Sequence, residues 1–332
     1  MTFAIRPATP ELTPILIGLV GSSGSGKTLS ALRLAHGIRE VVGGEVGLID
    51  TEGRRGLRYA DKTKFPSFNY KYLEFLPPFA SDRFSEAIAA MYATGVKTII
   101  IDSLSLEHEG AGGYLEYHVA ELDRMAGNDY KKREKMTFTA RIKPAAARRR
   151  LINSFLQVPV NFIFCFRAKE KLKIVTGGAP IPLGWQAIAG DEFVYEMIAR
   201  CLLPPGAKGV PDWSDAAFAH GTAKRDDQDR ALFPDGTQLS EEIGRNIALT
   251  YSGKDVRPRQ TAEAKASTAG TQDAEGADLQ SAGDEVARKG VVAVRTWWQN
   301  LTPRQQNLVT KTYLDDVLKP AAESADKEMF GE

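Results

Sequence analysis

Gly21-Ser22-Ser23-Gly24-Ser25-Gly26-Lys27-Thr28 constrains this chain more than any other stretch of its 332 residues. Three glycines within six residues let the backbone curl until successive N–H groups point inward. A lysine and a threonine then follow where one side chain reaches a phosphate and the next a divalent cation. The flanks agree. Residues 15–20, Ile-Leu-Ile-Gly-Leu-Val, form a short apolar run, and between Thr28 and Val42 the residues Leu29, Leu32, Leu34, Ala35 and Ile38 recur at helical spacing. Strand, loop and helix in that order aim the positive end of a helix at an anion. We read the eight residues as a P-loop that binds ATP, or a close relative, with Mg²⁺: Lys27 on the β- and γ-phosphates, Thr28 on the metal.

The helix stops at Gly43-Gly44, and Val46 to Ile49 reads as a second buried strand ending in Asp50-Thr51-Glu52-Gly53, which completes a βαβ unit. Residues 68–75 alternate as a strand, Ser81 can cap a helix to about Ala93, and Lys97 to Asp102 is a third clear strand. Helical patterns fill much of 113–156, with a break near Gly127. Val160 to Phe166 and Phe193 to Ala199 read as a fourth and a fifth strand. Alternating strands and helices predict an α/β fold with a doubly wound, mostly parallel sheet. From about residue 254 to 283 large apolar residues almost vanish, which predicts a disordered linker between an ATPase core (1–253) and a small helical C-terminal module (284–332). In that module Trp297 and Trp298 are expected in the core, with partner binding the lesser reading.

In a parallel sheet the carboxyl ends of the strands converge on the ligand, so acids there are candidates for chemistry. Asp102 ends an apolar strand and is placed on Mg²⁺ with Thr28. Glu52 sits just past the second strand, where a carboxylate can act as general base toward water; Glu107 and Glu109 compete for that role. The fourth strand runs into Arg167-Ala168-Lys169-Glu170-Lys171-Leu172-Lys173, read as a basic loop. From there Arg167 can sense the γ-phosphate, or Lys169 and Lys171 can reach a neighbouring subunit's nucleotide. Residues 174–190, rich in Gly and Pro, are expected to form a mobile loop.

A net charge of +1 gives no global pull toward nucleic acid, so such a partner must be read locally. Between 131 and 150, Lys131, Lys132, Arg133, Lys135, Arg141, Lys143, Arg148, Arg149 and Arg150 face the single acid Glu134, with Tyr130 and Phe138 interleaved. Such a patch can track a phosphodiester backbone while its aromatics stack on bases. Cys165 and Cys201 lie in apolar runs without metal-ligand spacing and are read as buried small hydrophobes. With no signal peptide or span long enough for a bilayer, a cytoplasmic protein with no membrane partner is the expectation.

With these residues placed, GSSGSGKT, LIDTEG, TIIIDS and FIFCFRAKEK resemble, in that order, the RecA-like branch of P-loop ATPases. More narrowly, DSLSLEHEGAGG and RAKEK resemble phage-encoded, AAA-annotated ATPases of the single-strand-annealing recombination type. The resemblance spans roughly residues 12–250. It implies Gly21, Ser22, Ser23, Gly24, Ser25, Gly26, Lys27 and Thr28 on the phosphates, Glu52 as hydrolytic base, Asp102 on the metal and Arg167 near the γ-phosphate. It further implies single-stranded DNA as partner, a single-strand DNA-binding protein as a second, and homo-oligomeric rings or filaments in the host cytoplasm. The chain departs from the branch at Phe166-Arg167, where a glutamine or similar amide is usual. Two other classes stay open: an ATP-dependent switch recruiting a protein through the C-terminal module, and, last, a small-molecule kinase.

Overall fold

The computed structural model describes residues 13–174, 181–190, 192–219, 221–251, 279–302, 305–306, 309 and 313–330. The chain divides into two compact units, residues 1–256 and 257–332.

In the first unit an eight-stranded sheet forms from β1 (Leu16–Gly21), β2 (Glu45–Asp50), β3 (Tyr70–Glu74), β4 (Val96–Asp102), β5 (Asn161–Lys173), β6 (Ile181–Ala187), β7 (Ala199–Leu203) and β8 (Lys224–Arg225). Its order is β3-β2-β4-β5-β1-β7-β8, with β6 on β5; β3 to β7 along that path run parallel, and β8 and β6 are antiparallel to their neighbours. The fold is α/β with a mostly parallel sheet, as expected.

Alternation along each strand decides which face each side chain serves. Leu16, Val20, Ile99, Ile101, Phe162, Phe164 and Phe166 enter one apolar layer with Phe84 of α2 (Ser81–Ala93) and Phe155 of α6 (Ile142–Gln157). Ile17, Leu19, Ile100, Ile163, Cys165 and Cys201 enter the opposite layer with Leu32 and Ile38 of α1 (Lys27–Val42) and Ile243 and Ile247 of α9 (Glu241–Tyr251). Buried on both faces, these strands read in sequence as continuous apolar runs. The two helices α1 and α9 meet closely: a Cβ at Gly37 would lie 1.8 Å from the Glu241 carbonyl oxygen, so a side chain there would force the pair apart. Both cysteines are free and fully buried, and burial pushes both thiols up.

Between β4 and β5 lie α3 (Ser105–Glu109), α4 (Tyr114–Ala126), α5 (Tyr130–Met136) and α6; after β6 come α7 (Glu192–Tyr195) and, past β7, α8 (Asp215–Ala219). Three expectations shift. The fifth strand begins at Ala199, and residues 192–195 turn as a short helix; the largely apolar run from Phe193 to Leu203, with only Glu196 and Arg200 charged, hides the boundary. The basic segment 167–173 is strand, not loop, and 181–187 pairs with it, so the loop expected over 174–190 can be compared only outside residues 175–180. Ser81 opens α2 but does not cap it, because its hydroxyl donates to Glu107 instead.

The second unit has its own apolar cluster, in which Ala287, Val294, Val309, Leu314, Leu318 and Ala322 are buried and Trp297 and Trp298 pack against them. Helix is present from residue 279, inside the stretch read as linker; residues 254–278 of that stretch lie outside the described residues. Among the described residues no helix is long and apolar enough to cross a membrane.

Candidate functional site

Register brings the predicted site together. Gly21 pairs with Arg167, Asp102 with Cys165 and Asp50 with Asp102, so the ends of β1, β4 and β2 stand level with Cys165–Arg167 of β5. The P-loop turns away from β1 at that level and α1 begins at Lys27. Gly26 has φ 100°, and a Cβ there would meet the Gly209 nitrogen at 2.8 Å; glycine is required on both grounds.

The cradle fits a phosphate. Lys27 Nζ donates to the carbonyl oxygens of Gly21 (2.9 Å) and Ser22 (2.7 Å), folded over the loop where a phosphate oxygen would compete for it. The Ser22 hydroxyl is buried with no hydrogen-bond partner, a donor that an anion in the loop would satisfy. Thr28 Oγ1 donates to Asp102 Oδ2 at 2.5 Å, so the two expected Mg²⁺ residues already touch. Burial raises the Asp102 carboxyl to about 6, against the Thr28 hydrogen bond that lowers it, with Glu52 adding to the rise. A buried carboxylate beside a hydroxyl, short of compensating charge, is a donor set suited to a hard divalent cation. Among the described residues no group of three or more His, Cys, Asp or Glu could hold an ion by itself. Thr28 and Asp102 are the residues that would hold Mg²⁺ there.

A cavity of about 540 Å³ opens over this end of the sheet, lined by Lys27, Thr28, Asp102 and Glu52 among others. Glu52 is positioned by its neighbours. Asp50 accepts from the backbone N–H groups of Glu52 and Gly56, both at 2.7 Å, and Tyr72 donates to the same carboxylate at 3.2 Å, which fixes the 51–56 turn. Thr51 ties that turn to the one after β4: its hydroxyl donates to the Ser103 carbonyl (2.9 Å) and accepts from the Ser103 N–H (2.7 Å).

The three glutamates separate cleanly. Glu52 faces the cavity; its Oε1 accepts from Arg167 Nε at 2.8 Å and its Oε2 lies 3.2 Å from Arg55. Glu107 is fully buried, gripped by Arg148 (2.8 Å) and Ser81 (2.6 Å), and is thereby removed as a candidate base. Glu109 is exposed, off the cavity, 3.9 Å from Arg167. Arg167 thus stands against Glu52 and is not among the residues lining the cavity.

The basic patch also needs correcting. Arg148 is 2% exposed, stacked on Tyr114 at 3.8 Å, and cannot contact a strand. Its guanidinium donates to His108 Nδ1 at 2.9 Å, and burial, followed by the Arg148 charge, lowers that imidazole to about 4. Arg150 pairs with Asp82, Arg133 with Asp123 and Lys143 with Glu121. Lys131, Lys132, Lys135, Arg141 and Arg149 remain exposed without a carboxylate partner among the described residues, beside Tyr130 and Phe138, each 79% exposed.

Sequence reasoning missed the far wall. Arg33, Arg55, Arg58, Tyr59, Lys208 and Gln238 also line the cavity. Lys208 is a non-glycine residue at φ 48°; the Gly209 N–H next to it donates to Ser25 O at 3.1 Å, and Gln238 donates to the Lys208 carbonyl. The signals were present as the arginines three and six residues after Glu52 and the Pro-Gly-Ala-Lys-Gly loop after β7, but nothing local ties either to the P-loop.

No family model matches the chain, and no curated protein matches it. Among solved structures it is similar to a KaiC-like protein of the hyperthermophilic archaeon Pyrococcus horikoshii, at 17% identity over 50% of this chain and 72% of that one, with a TM-score of 0.26.

Proposed function

We propose that this chain is a RecA-like ATPase that hydrolyses ATP with Mg²⁺ and uses the cycle to act on single-stranded DNA. The observation that carries the nucleotide half is the meeting of Lys27, the Thr28–Asp102 pair and Glu52 around one cavity at the carboxyl edge of the sheet. The strand order supports the RecA-like reading, because β5 lies between the P-loop strand β1 and the Asp102 strand β4. In hydrolysis, the loop N–H groups and Lys27 hold the triphosphate while Glu52 takes a proton from the attacking water. The γ-phosphorus gains that oxygen and its bond to the ADP oxygen breaks. Mg²⁺, when bound, neutralises charge on the phosphate oxygens, and Thr28 and Asp102 would hold it.

The DNA half rests on the exposed cations and aromatics of 130–149, which suit a sequence-tolerant contact with a single strand. A role in phage recombination or replication, a single-strand DNA-binding protein as second partner, and ring or filament assembly accompany this reading through the resemblance. The test measures ATP turnover with and without single-stranded DNA across a salt series. Stimulation with a steep salt dependence is expected, and turnover indifferent to DNA with no salt-sensitive complex would sink it.

A second reading, an ATP-dependent switch that recruits a protein, is favoured by the second unit's separate core. Deleting residues 279–332 would then abolish partner capture and leave hydrolysis intact.

A further inference from the structure

Arg167 sits at a joint. It is the last residue of β5 paired with β1, and the antiparallel ladder with β6 starts at the next residue, Ala168, opposite Ala187. Its own backbone is held from both sides: its N–H donates to Ser105 Oγ at 2.9 Å and its carbonyl accepts from the Ile188 N–H at 2.8 Å. Its side chain meanwhile reaches Glu52. Beyond the joint β5 leaves the parallel sheet as a two-stranded ribbon on which Lys169, Glu170, Lys171 and Leu172 are all exposed. Lys169 and Lys171 have no carboxylate partner among the described residues. Ser105 and Glu109 approach Arg167 from α3.

Glu52 is therefore not free. Arg167 holds one carboxylate oxygen and Arg55 the other, and a general base needs an oxygen open to water. Arg55 is largely exposed, whereas Arg167 is half-shielded and the shorter contact, so Arg167 is the stronger of the two holds.

We propose that Arg167 is a positioning residue that latches Glu52, and that the β5–β6 ribbon is the surface on which a phosphodiester backbone releases it. A strand lying along Lys169 and Lys171 competes with Glu52 for the Arg167 guanidinium and turns the joint, leaving Glu52 open to water. The inference rests on Glu52 being the base and on a single strand as partner.

Steady-state hydrolysis by the full chain, with and without oligo(dT), tests it. Arg167→Ala is expected to raise kcat without oligo(dT) about fivefold, leave KM unchanged and abolish further stimulation. Arg167→Lys, which keeps a cation on Glu52, returns the unstimulated rate toward that of the wild type. Lys169→Glu with Lys171→Glu loses the stimulation ratio. Binding of a fluorescent ATP analogue confirms that each variant is folded. An unstimulated rate that falls or stays level in Arg167→Ala overturns the latch, and full stimulation in the double lysine variant overturns the ribbon's part. Failure of the underlying reading looks different: Glu52→Gln then hydrolyses ATP as fast as the wild type, and the proposal falls with it.

Discussion

Two Arg–Glu pairs are built on residues that follow strand ends of the sheet, and their surroundings give them opposite characters. Glu107–Arg148 is sealed: the side chains are 0% and 3% exposed, Ser81 and His108 complete the hydrogen bonding, and Tyr114 covers the guanidinium. In Glu52–Arg167 the glutamate lines the cavity over the P-loop and the arginine stands behind it, with side chains 15% and 40% exposed. A buried pair costs much desolvation and is held by its whole environment, so breaking it strands a charge. A half-open pair exchanges partners cheaply. The second is placed to exchange partners and the first to hold its neighbours, although in sequence both glutamates simply follow strand ends.

The contrast can be broken most forcefully at Glu52. Glu52→Gln should lower turnover about 10²- to 10⁴-fold while nucleotide binding persists and stability moves by less than about 1 kcal/mol. A normal rate, measured as phosphate release, would hand the role to Glu109. Arg148→Ala should do the reverse, costing about 3–5 kcal/mol in urea unfolding by leaving Glu107 buried and unpaired, with per-molecule turnover retained in the folded fraction. Loss below about 1 kcal/mol would show that the sealed pair is no different from the open one.

Asp102 sharpens the picture through pH. Its folded value of about 6 lies above the ordinary 3.8, so the folded chain keeps a proton that the unfolded chain releases. That contribution is full below pH 3.8 and is lost as pH rises through 6. Asp102→Asn should therefore stabilise the nucleotide-free protein by about 1–3 kcal/mol at neutral pH, a gain that fades in acid, while hydrolysis is lost. Thermal melts across pH check this. The smallest effect belongs to the exposed patch: Lys131, Lys132 and Arg141 changed together to Ala should flatten the salt dependence of single-stranded DNA binding by about 2 in log–log slope. An unchanged slope would place the strand elsewhere.

Much of this was legible because it is local. The P-loop carries its strand and helix with it, and Asp102 and Glu52 announce themselves at the ends of apolar runs. What stayed hidden depends on distant partners. Arg148 looks like its neighbours Arg149 and Arg150 in sequence; only its contacts with Glu107 and Tyr114, distant in the chain, bury it and leave the others in water. Glu107 was a fair candidate until Ser81, 26 residues earlier, and Arg148, 41 later, claimed its oxygens. The basic run after Phe166 reads as loop because lysines rarely mark a strand, yet 181–187 supplies the pairing.

The bond from Gly209 to the P-loop, backed by Gln238 on the Lys208 carbonyl, has a bearing on how the protein is made. A nascent chain that has emerged only to β5 already displays every recognisable phosphate signature, but lacks Lys208 and Gln238, which arrive more than thirty residues later. With ATP as the proposed ligand, its full grip would wait until Lys208 and Gln238 had folded back, and occupancy of the pocket would report a finished core.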